Sequence, residues 1–154
     1  MALRHWLVKS DPETFSFDDL ERSTARTTSW DGVRNYQARN FLRDEMRVGD
    51  RVLFYHSQDE KAVVGTATVT RAGYPDATQF DRKSKGHDPD ADPNSPIWYA
   101  VDLRFDRRFR RKVTLEEMRG QDGLEGMVLL RRGSRLSVQP VTPSEWKIVE
   151  KLGG

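Results

Sequence analysis

The chain contains no cysteine and only three histidines among its 154 residues. Without cysteine there is neither a disulfide framework nor a thiolate metal site. His5, His56 and His87 stand far apart, and none has a second histidine a helical turn away to make a metal-binding pair. No metal or other cofactor is therefore expected. Long apolar runs are also missing, since nothing approaches the ~20 residues of a membrane span. Met1 to Lys9 carries Arg4 and Lys9 around a short apolar patch and has neither the apolar core nor the cleavage site of a secretory signal, so a cytoplasmic protein is expected. There is no glycine-rich phosphate loop, and Asp31, Asp50 and Glu60 are too scattered to predict a catalytic carboxylate pair.

What is present fits one domain over residues 1–154. Hydrophobic residues make up 36% of the chain and include four tryptophans, enough for a single core, while 32% charged residues imply a well-solvated surface. The net charge of +2 is too small to argue for a polyanionic partner, so its distribution matters more. From Arg104 to Lys112, six basic residues (Arg104, Arg107, Arg108, Arg110, Arg111 and Lys112) face one acid, Asp106, and Arg131, Arg132 and Arg135 form a second cluster. Two roles are open to these residues: neutralising phosphates, with release of condensed counterions, or protecting a strand edge from pairing with other chains.

Patterning predicts a first strand at His5 to Lys9, then a brief helix capped by Ser16, then a polar turn from Arg26 to Ser29 that leads into Trp30. A longer helix is predicted from Asn35 to Met46. Ala38, Phe41, Leu42, Glu45 and Met46 lie on or near its inner side, and Arg39, Arg43 and Arg47 form a basic stripe opposite. Arg51 to Ser57 and Val63 to Val69 read as a hairpin. Residues 77–96, rich in Asp and Pro, read as a mobile surface loop. Ile97 to Phe105 alternates as a strand with Ile97, Tyr99, Val101, Leu103 and Phe105 on one face, which puts Trp98 on the other. Thr114 with Glu117 opens a short helix, Val128 to Leu130 and Arg135 to Val141 read as closing strands, and Thr142-Pro143-Ser144-Glu145 starts a final helix. The absence of βαβ alternation predicts an α+β fold: a mostly antiparallel, partly closed barrel of about five or six strands with short peripheral helices.

Several residues invite a chemical role. Trp30, between Ser29 and Asp31-Gly32, has no apolar period to bury it. It is either a stacking plane for a base or a plug over one end of the barrel. Trp98 either lines a groove or lies beneath a helix. Trp6 and Trp146 follow apolar periods and belong to the core. Asn35, at a predicted helix start, can cap the helix, offer amide contacts beside Arg34, or do both. Tyr55, His56 and Ser57 end a strand. Because successive side chains point to opposite faces, His56 and Ser57 do not form a base and nucleophile pair, and His56 is expected to be structural.

The undecapeptide W-D-G-V-R-N-Y-Q-A-R-N at Trp30 to Asn40 resembles the EVE domain family. So do W-L-V-K-S at Trp6 to Ser10, F-Y-H-S at Phe54 to Ser57, Y-P-D at Tyr74 to Asp76, T-Q-F-D at Thr78 to Asp81 and R-L-S-V-Q-P-V at Arg135 to Val141. The resemblance covers nearly the whole chain. It implies a PUA-like fold related to the YTH domain, and recognition of a modified base such as 5-methylcytosine, 5-hydroxymethylcytosine or N6-methyladenine in DNA or RNA. By position it implies Trp30 as the cage tryptophan and Lys9 and Ser10 as contacts to the base edge. Val33, Arg34, Asn35, Tyr55, His56, Ser57, Tyr74 and Pro75 would complete the pocket, with Trp98 as an opposing wall. Asp11, where the family has Glu, and Gly73, where Ala is common, depart from the pattern. Gly73 raises the expectation of a looser segment around Tyr74.

Three functions follow as expectations. The first is a reader that holds a flipped-out modified base against Trp30, with phosphates on Arg39, Arg43 and Arg47, on Arg107, Arg108, Arg110, Arg111 and Lys112, and on Arg135. The second is a module that binds structured RNA without a modified base. The third, and least favoured, is a hydrolase or nuclease using His56 with Lys9 or Asp31. A restriction or repair protein is a possible partner.

Overall fold

The computed structural model describes residues 3–154. One six-stranded sheet organises the chain: β1 (His5–Ser10), β2 (Thr27–Trp30), β3 (Arg51–His56), β4 (Ala62–Pro75), β5 (Tyr99–Thr114) and β6 (Val138–Val141), in the order β2-β5-β4-β3-β1-β6. β1 and β3 run parallel, with Lys9 opposite Tyr55 and Ser10 opposite His56, and every other neighbouring pair is antiparallel. A parallel pair needs a long crossover. Here it contains α1 (Phe17–Arg22), β2 and α2 (Tyr36–Asn40). The fold is the α+β, mostly antiparallel, PUA-like arrangement expected, but β2 and β6 remain as two edges, so the sheet does not close into a barrel. No helix among the described residues is long and apolar enough to cross a membrane.

Side-chain alternation divides the interior into two cores. Trp6, Val8 and Phe54 point to one face and join Phe17, Leu20, Trp30, Leu42, Val101 and Leu103. Leu7, Leu53 and Tyr55 point to the other and join Phe109, Val113, Met118, Trp146 and Val149. β5 serves both cores. Its ladder with β4 slips around Asp106, so Phe105 packs against the first core and Phe109, of the same parity, enters the second. Gly65 sits at this crossing, where a Cβ would lie 2.4 Å from both the Arg107 carbonyl oxygen and the Phe17 ring.

The helix starts follow their sequence signals. Ser16 and Asp19 form a capping box on α1, Thr114 caps α3 (Leu115–Arg119), and Thr142 with Glu145 boxes the start of α4 (Pro143–Gly153). Other elements depart from expectation. The polar turn predicted at Arg26 to Ser29 is the edge strand β2, because its hydrogen bonds go to β5. The helix predicted from Asn35 to Met46 is α-helical only to Asn40 and continues as a wider π turn, Phe41–Glu45. Val128–Leu130 is a 3-10 turn, and of the strand predicted at Arg135 to Val141 only Val138–Val141 pairs.

Residues 77–96, expected as a mobile loop, are tied at several points. Gln79 is fully buried; its amide donates to the carbonyls of Asp76 (2.7 Å) and Trp98 (2.8 Å), and its Oε1 accepts from the N–H groups of Ile97 and Trp98 (both 2.9 Å).

Candidate base-binding cavity

Where β1 ends, the chain turns sharply. Asp11 Oδ1 accepts from the Glu13 N–H, and the Asp11 carbonyl accepts from Thr14 and Phe15. Ser10 Oγ donates to the Phe15 carbonyl, and the Ser57 N–H and hydroxyl both donate to the Ser10 carbonyl. This stapled turn faces the edge strand β2 across a cavity of about 510 Å³, within the size range of small-molecule sites. Lys9, Ser10, Asp11, Thr14 and Phe15 line one side, and Thr28, Ser29, Trp30 and Asp31 the other.

Trp30 is the last residue of β2, opposite Val101, and is 9% exposed. The expectation of a tryptophan after a polar turn, with no apolar period to bury it, is corrected: the ladder to β5 carries it into the first core. Its indole meets Phe54 edge-on, with centroids 5.5 Å apart at 79°, and Phe15 likewise at 6.4 Å and 77°. These contacts hold the ring while leaving it in the cavity wall. It is plug and wall together.

The polar groups at the rim are electrostatically distinct. Burial lowers the pKa of the Lys9 ammonium. The Asp31 carboxyl is pushed above the usual carboxylate range, first by desolvation and then by the neighbouring Asp76 charge, with Arg34 opposing. Asp76 has the reverse outcome. Burial alone would raise its pKa, but hydrogen bonds from Thr78, the Gly32 N–H (2.8 Å) and Arg34 (3.0 Å) outweigh that and hold it below the ordinary value.

Of the residues predicted to bind the base, the structure brings Lys9, Ser10 and Trp30 together and sets the others behind or away from the cavity wall. Arg34 braces the 77–96 segment, donating to Asp76, Thr78, and the carbonyls of Gly86 and Val33. Trp98, predicted as the opposing wall, is 5% exposed: Tyr36 covers it at 4.9 Å, Arg34 lies 5.3 Å from its ring centre, and its indole N–H donates to Asp88 (2.8 Å). The helix start, not a ligand groove, explains that tryptophan. Asn35 caps α2 by accepting from Ala38. Val33 is core, and Tyr55 belongs to the second core, on the other face of the sheet.

His56, which the resemblance placed in the pocket and its strand position made structural, does not line the cavity. Its Nε2 accepts from the Phe17 N–H (3.0 Å), which requires the proton on Nδ1, 2.9 Å from Glu60. Tyr74 hydrogen-bonds to Ser29 Oγ (2.7 Å) and to Asp102, and its pKa is pushed up to about 12, by burial first and then by the Asp102 hydrogen bond. It thus supports the rim from outside, while Pro75 pairs with Tyr99. Gly73 does not loosen this segment. With φ of +43° it packs beneath the π turn, where a Cβ would stand 2.8 Å from the Arg43 carbonyl oxygen.

The cavity residues that sequence reasoning missed are Asp11, Thr14, Phe15, Thr28, Ser29 and Asp31. Ser29 was flagged only by its adjacency to Trp30, and Asp31 by that adjacency and by the least favoured, hydrolytic reading rather than as a base contact. Nothing local marks Phe15, which arrives through the Asp11 turn.

The model of the EVE domain matches residues 4–152. The chain belongs to the EVE domain family. Among relatives of this EVE domain, human thymocyte nuclear protein 1 is 40% identical over 96% of the chain and 73% of the relative. A crystal structure of that human protein in complex with DNA containing 5-methylcytosine superposes with a TM-score of 0.92 at 39% identity, covering 97% of each chain. A structure of a hypothetical protein from Leishmania major gives 0.92 at 43% identity, covering 99% of this chain and 95% of that one.

Proposed function

We propose that this EVE domain reads a modified base, flipped out of nucleic acid and stacked in the cavity between the β1 turn and β2. The observation that carries this reading is the cavity itself: it is large enough for a base, walled by a tryptophan, and rimmed by both donors and acceptors. The human relative bound to 5-methylcytosine DNA, alike over nearly the whole chain, makes 5-methylcytosine the first base to test. Extrusion of a base costs a few kcal/mol, which stacking on Trp30, about 1–3 kcal/mol, and rim hydrogen bonds offset. Discrimination of a methyl group is then modest, about 0.8 kcal/mol per buried methyl.

Lys9 and Ser10 are the proposed contacts to the base edge on the β1 side, and Asp31 adds an acceptor on the β2 side. The hydrolytic reading is disfavoured because His56, its central residue, is engaged at both ring nitrogens.

The test is fluorescence anisotropy with labelled oligonucleotides that carry one 5-methylcytosine, 5-hydroxymethylcytosine or N6-methyladenine, or none. The reading expects tighter binding to one modified strand, lost on Trp30→Ala. Equal affinity for all strands, unaffected by that substitution, would overturn it. Preference for folded RNA without any modified base would point instead to a structured-RNA module.

A further inference from the structure

Half of the densest basic stretch, Arg107, Arg108 and Arg111 of its six basic residues, is engaged in partly exposed pairs within the chain. Arg107 donates to the Gly154 carbonyl and sits 3.7 Å from Glu150, Arg108 pairs with Asp18 and Glu21, and Arg111 pairs with Glu117. On the helical stripe, Arg43 pairs with Asp44 and Arg39 donates to the Ile97 carbonyl. Guanidinium groups held this way gain less from a phosphate, because an existing partner must first be given up. Arg110 and Lys112 are exposed, but they lie about 30 Å of strand beyond Val101, the residue paired with Trp30.

Around the cavity mouth the pattern reverses. Arg104 is opposite Thr27 on β2, and Arg71 is opposite Asp102, which is itself opposite Ser29 at the cavity rim. Both are exposed, and neither makes an ion pair among the described residues. Arg71 lies 3.9 Å over the ring of Tyr74, whose hydroxyl engages Asp102. Arg71, Tyr74 and Asp102 therefore share the outer face of the sheet, and Arg104, two residues along β5 from Asp102, lies on it too. The Asp102 carboxylate accepts from the Tyr74 hydroxyl and forms no ion pair with either arginine, so both exposed guanidinium groups remain without an acidic partner among the described residues. Arg26, immediately before β2, is also exposed. Across the mouth, the Lys9 N–H donates to the Ser137 carbonyl (2.9 Å), which brings exposed Arg135 to that side.

We propose that the phosphodiester backbone of the bound nucleic acid runs along the β2 edge, held by Arg71 and Arg104 with Arg26, and crosses the cavity mouth toward Arg135. This rests on the reading that the cavity takes a base. It moves the phosphate contacts from the Arg107 to Lys112 stretch to the cavity rim.

The test is the salt dependence of binding by the full chain to fluorescein-labelled oligonucleotides, single-stranded and duplex, each with one 5-methylcytosine. Each phosphate contact contributes a slope of about 0.7 to 0.9 in log affinity against log salt. Arg71→Gln with Arg104→Gln is expected to reduce the slope by about 1.5 while leaving the ratio of modified to unmodified affinity unchanged. Arg71→Lys with Arg104→Lys keeps the charge and is expected to restore the slope. Arg108→Gln with Arg111→Gln is expected to leave it as in the unaltered protein. An unchanged slope in the Arg71 and Arg104 glutamine pair, with binding still dependent on Trp30, overturns the track and leaves the reader standing. Binding by the unaltered protein that is indifferent to Trp30→Ala overturns the reader, and the track falls with it.

Discussion

Phe54 presents its ring edge-on to the indole of Trp30, 5.5 Å away at 79°. Because Phe54 lies on β3, next to β1 in the sheet, while Trp30 ends the edge strand β2, this contact fixes the stacking plane to the middle of the fold. Trp30→Ala removes both the contact and the cavity wall. It is expected to cost about 3 kcal/mol of stability and to lower Tm by about 10 °C, together with loss of the modified-base preference. Trp30→Phe keeps an aromatic plane and separates the two effects: calorimetry should show most of the stability retained, and titration an intermediate affinity.

Asp31 offers its carboxylate at the rim, and its pKa is raised by burial and by Asp76. If it accepts from an exocyclic amino group of the base, affinity is highest with the carboxylate ionised and falls as pH drops through its raised pKa. Asp31→Asn should weaken binding by about 1–3 kcal/mol and flatten that acid limb in an anisotropy titration. An unchanged pH profile in the variant would assign the limb to another group.

The Asp76 carboxylate, with no side-chain exposure, joins Gly32, Arg34 and Thr78. Its depressed pKa means that it stabilises the fold above the ordinary carboxylate value of 3.8, and that this contribution is lost as pH falls below that value through its lower folded pKa. Asp76→Asn is expected to cost about 3 kcal/mol near neutral pH and to make the stability curve less steep in acid. Urea denaturation between pH 7 and 3 reads both effects.

Gly65→Ala places a methyl group against the Arg107 carbonyl and the Phe17 ring. Strain of about 1–3 kcal/mol is expected, measurable as a lower urea midpoint with unchanged m-value.

The sequence was most legible where one residue type has one local job. Ser16, Thr114 and Thr142 marked helix starts that the structure confirms, and the alternation of Val101 and Leu103 gave the inner face of β5. It was least legible where partners are distant. Thr27–Trp30 has little strand character of its own and pairs only because β5 lies beside it. Trp98, just before β5, left groove wall and helix cover both open, because nothing near it in the chain reveals that Tyr36 will cover it. Basic residues from Arg107 to Lys112 were visible as charge, but Asp18, Glu21, Glu117 and Glu150 are remote in the chain or on another element, so their pairing was not. For the cavity, the family resemblance supplied Lys9, Ser10 and Trp30, whereas Phe15 and Thr28 needed the folded chain.

The two sides of the cavity differ in how firmly they are anchored. Lys9 and Ser10 end a strand with neighbours on both flanks, while Thr28 to Trp30 close the sheet with a neighbour on one flank alone. The cavity therefore has one fixed jaw and one compliant jaw, and backbone amide exchange should be faster along the second in the free protein. A ligand clamped between them would slow exchange chiefly there.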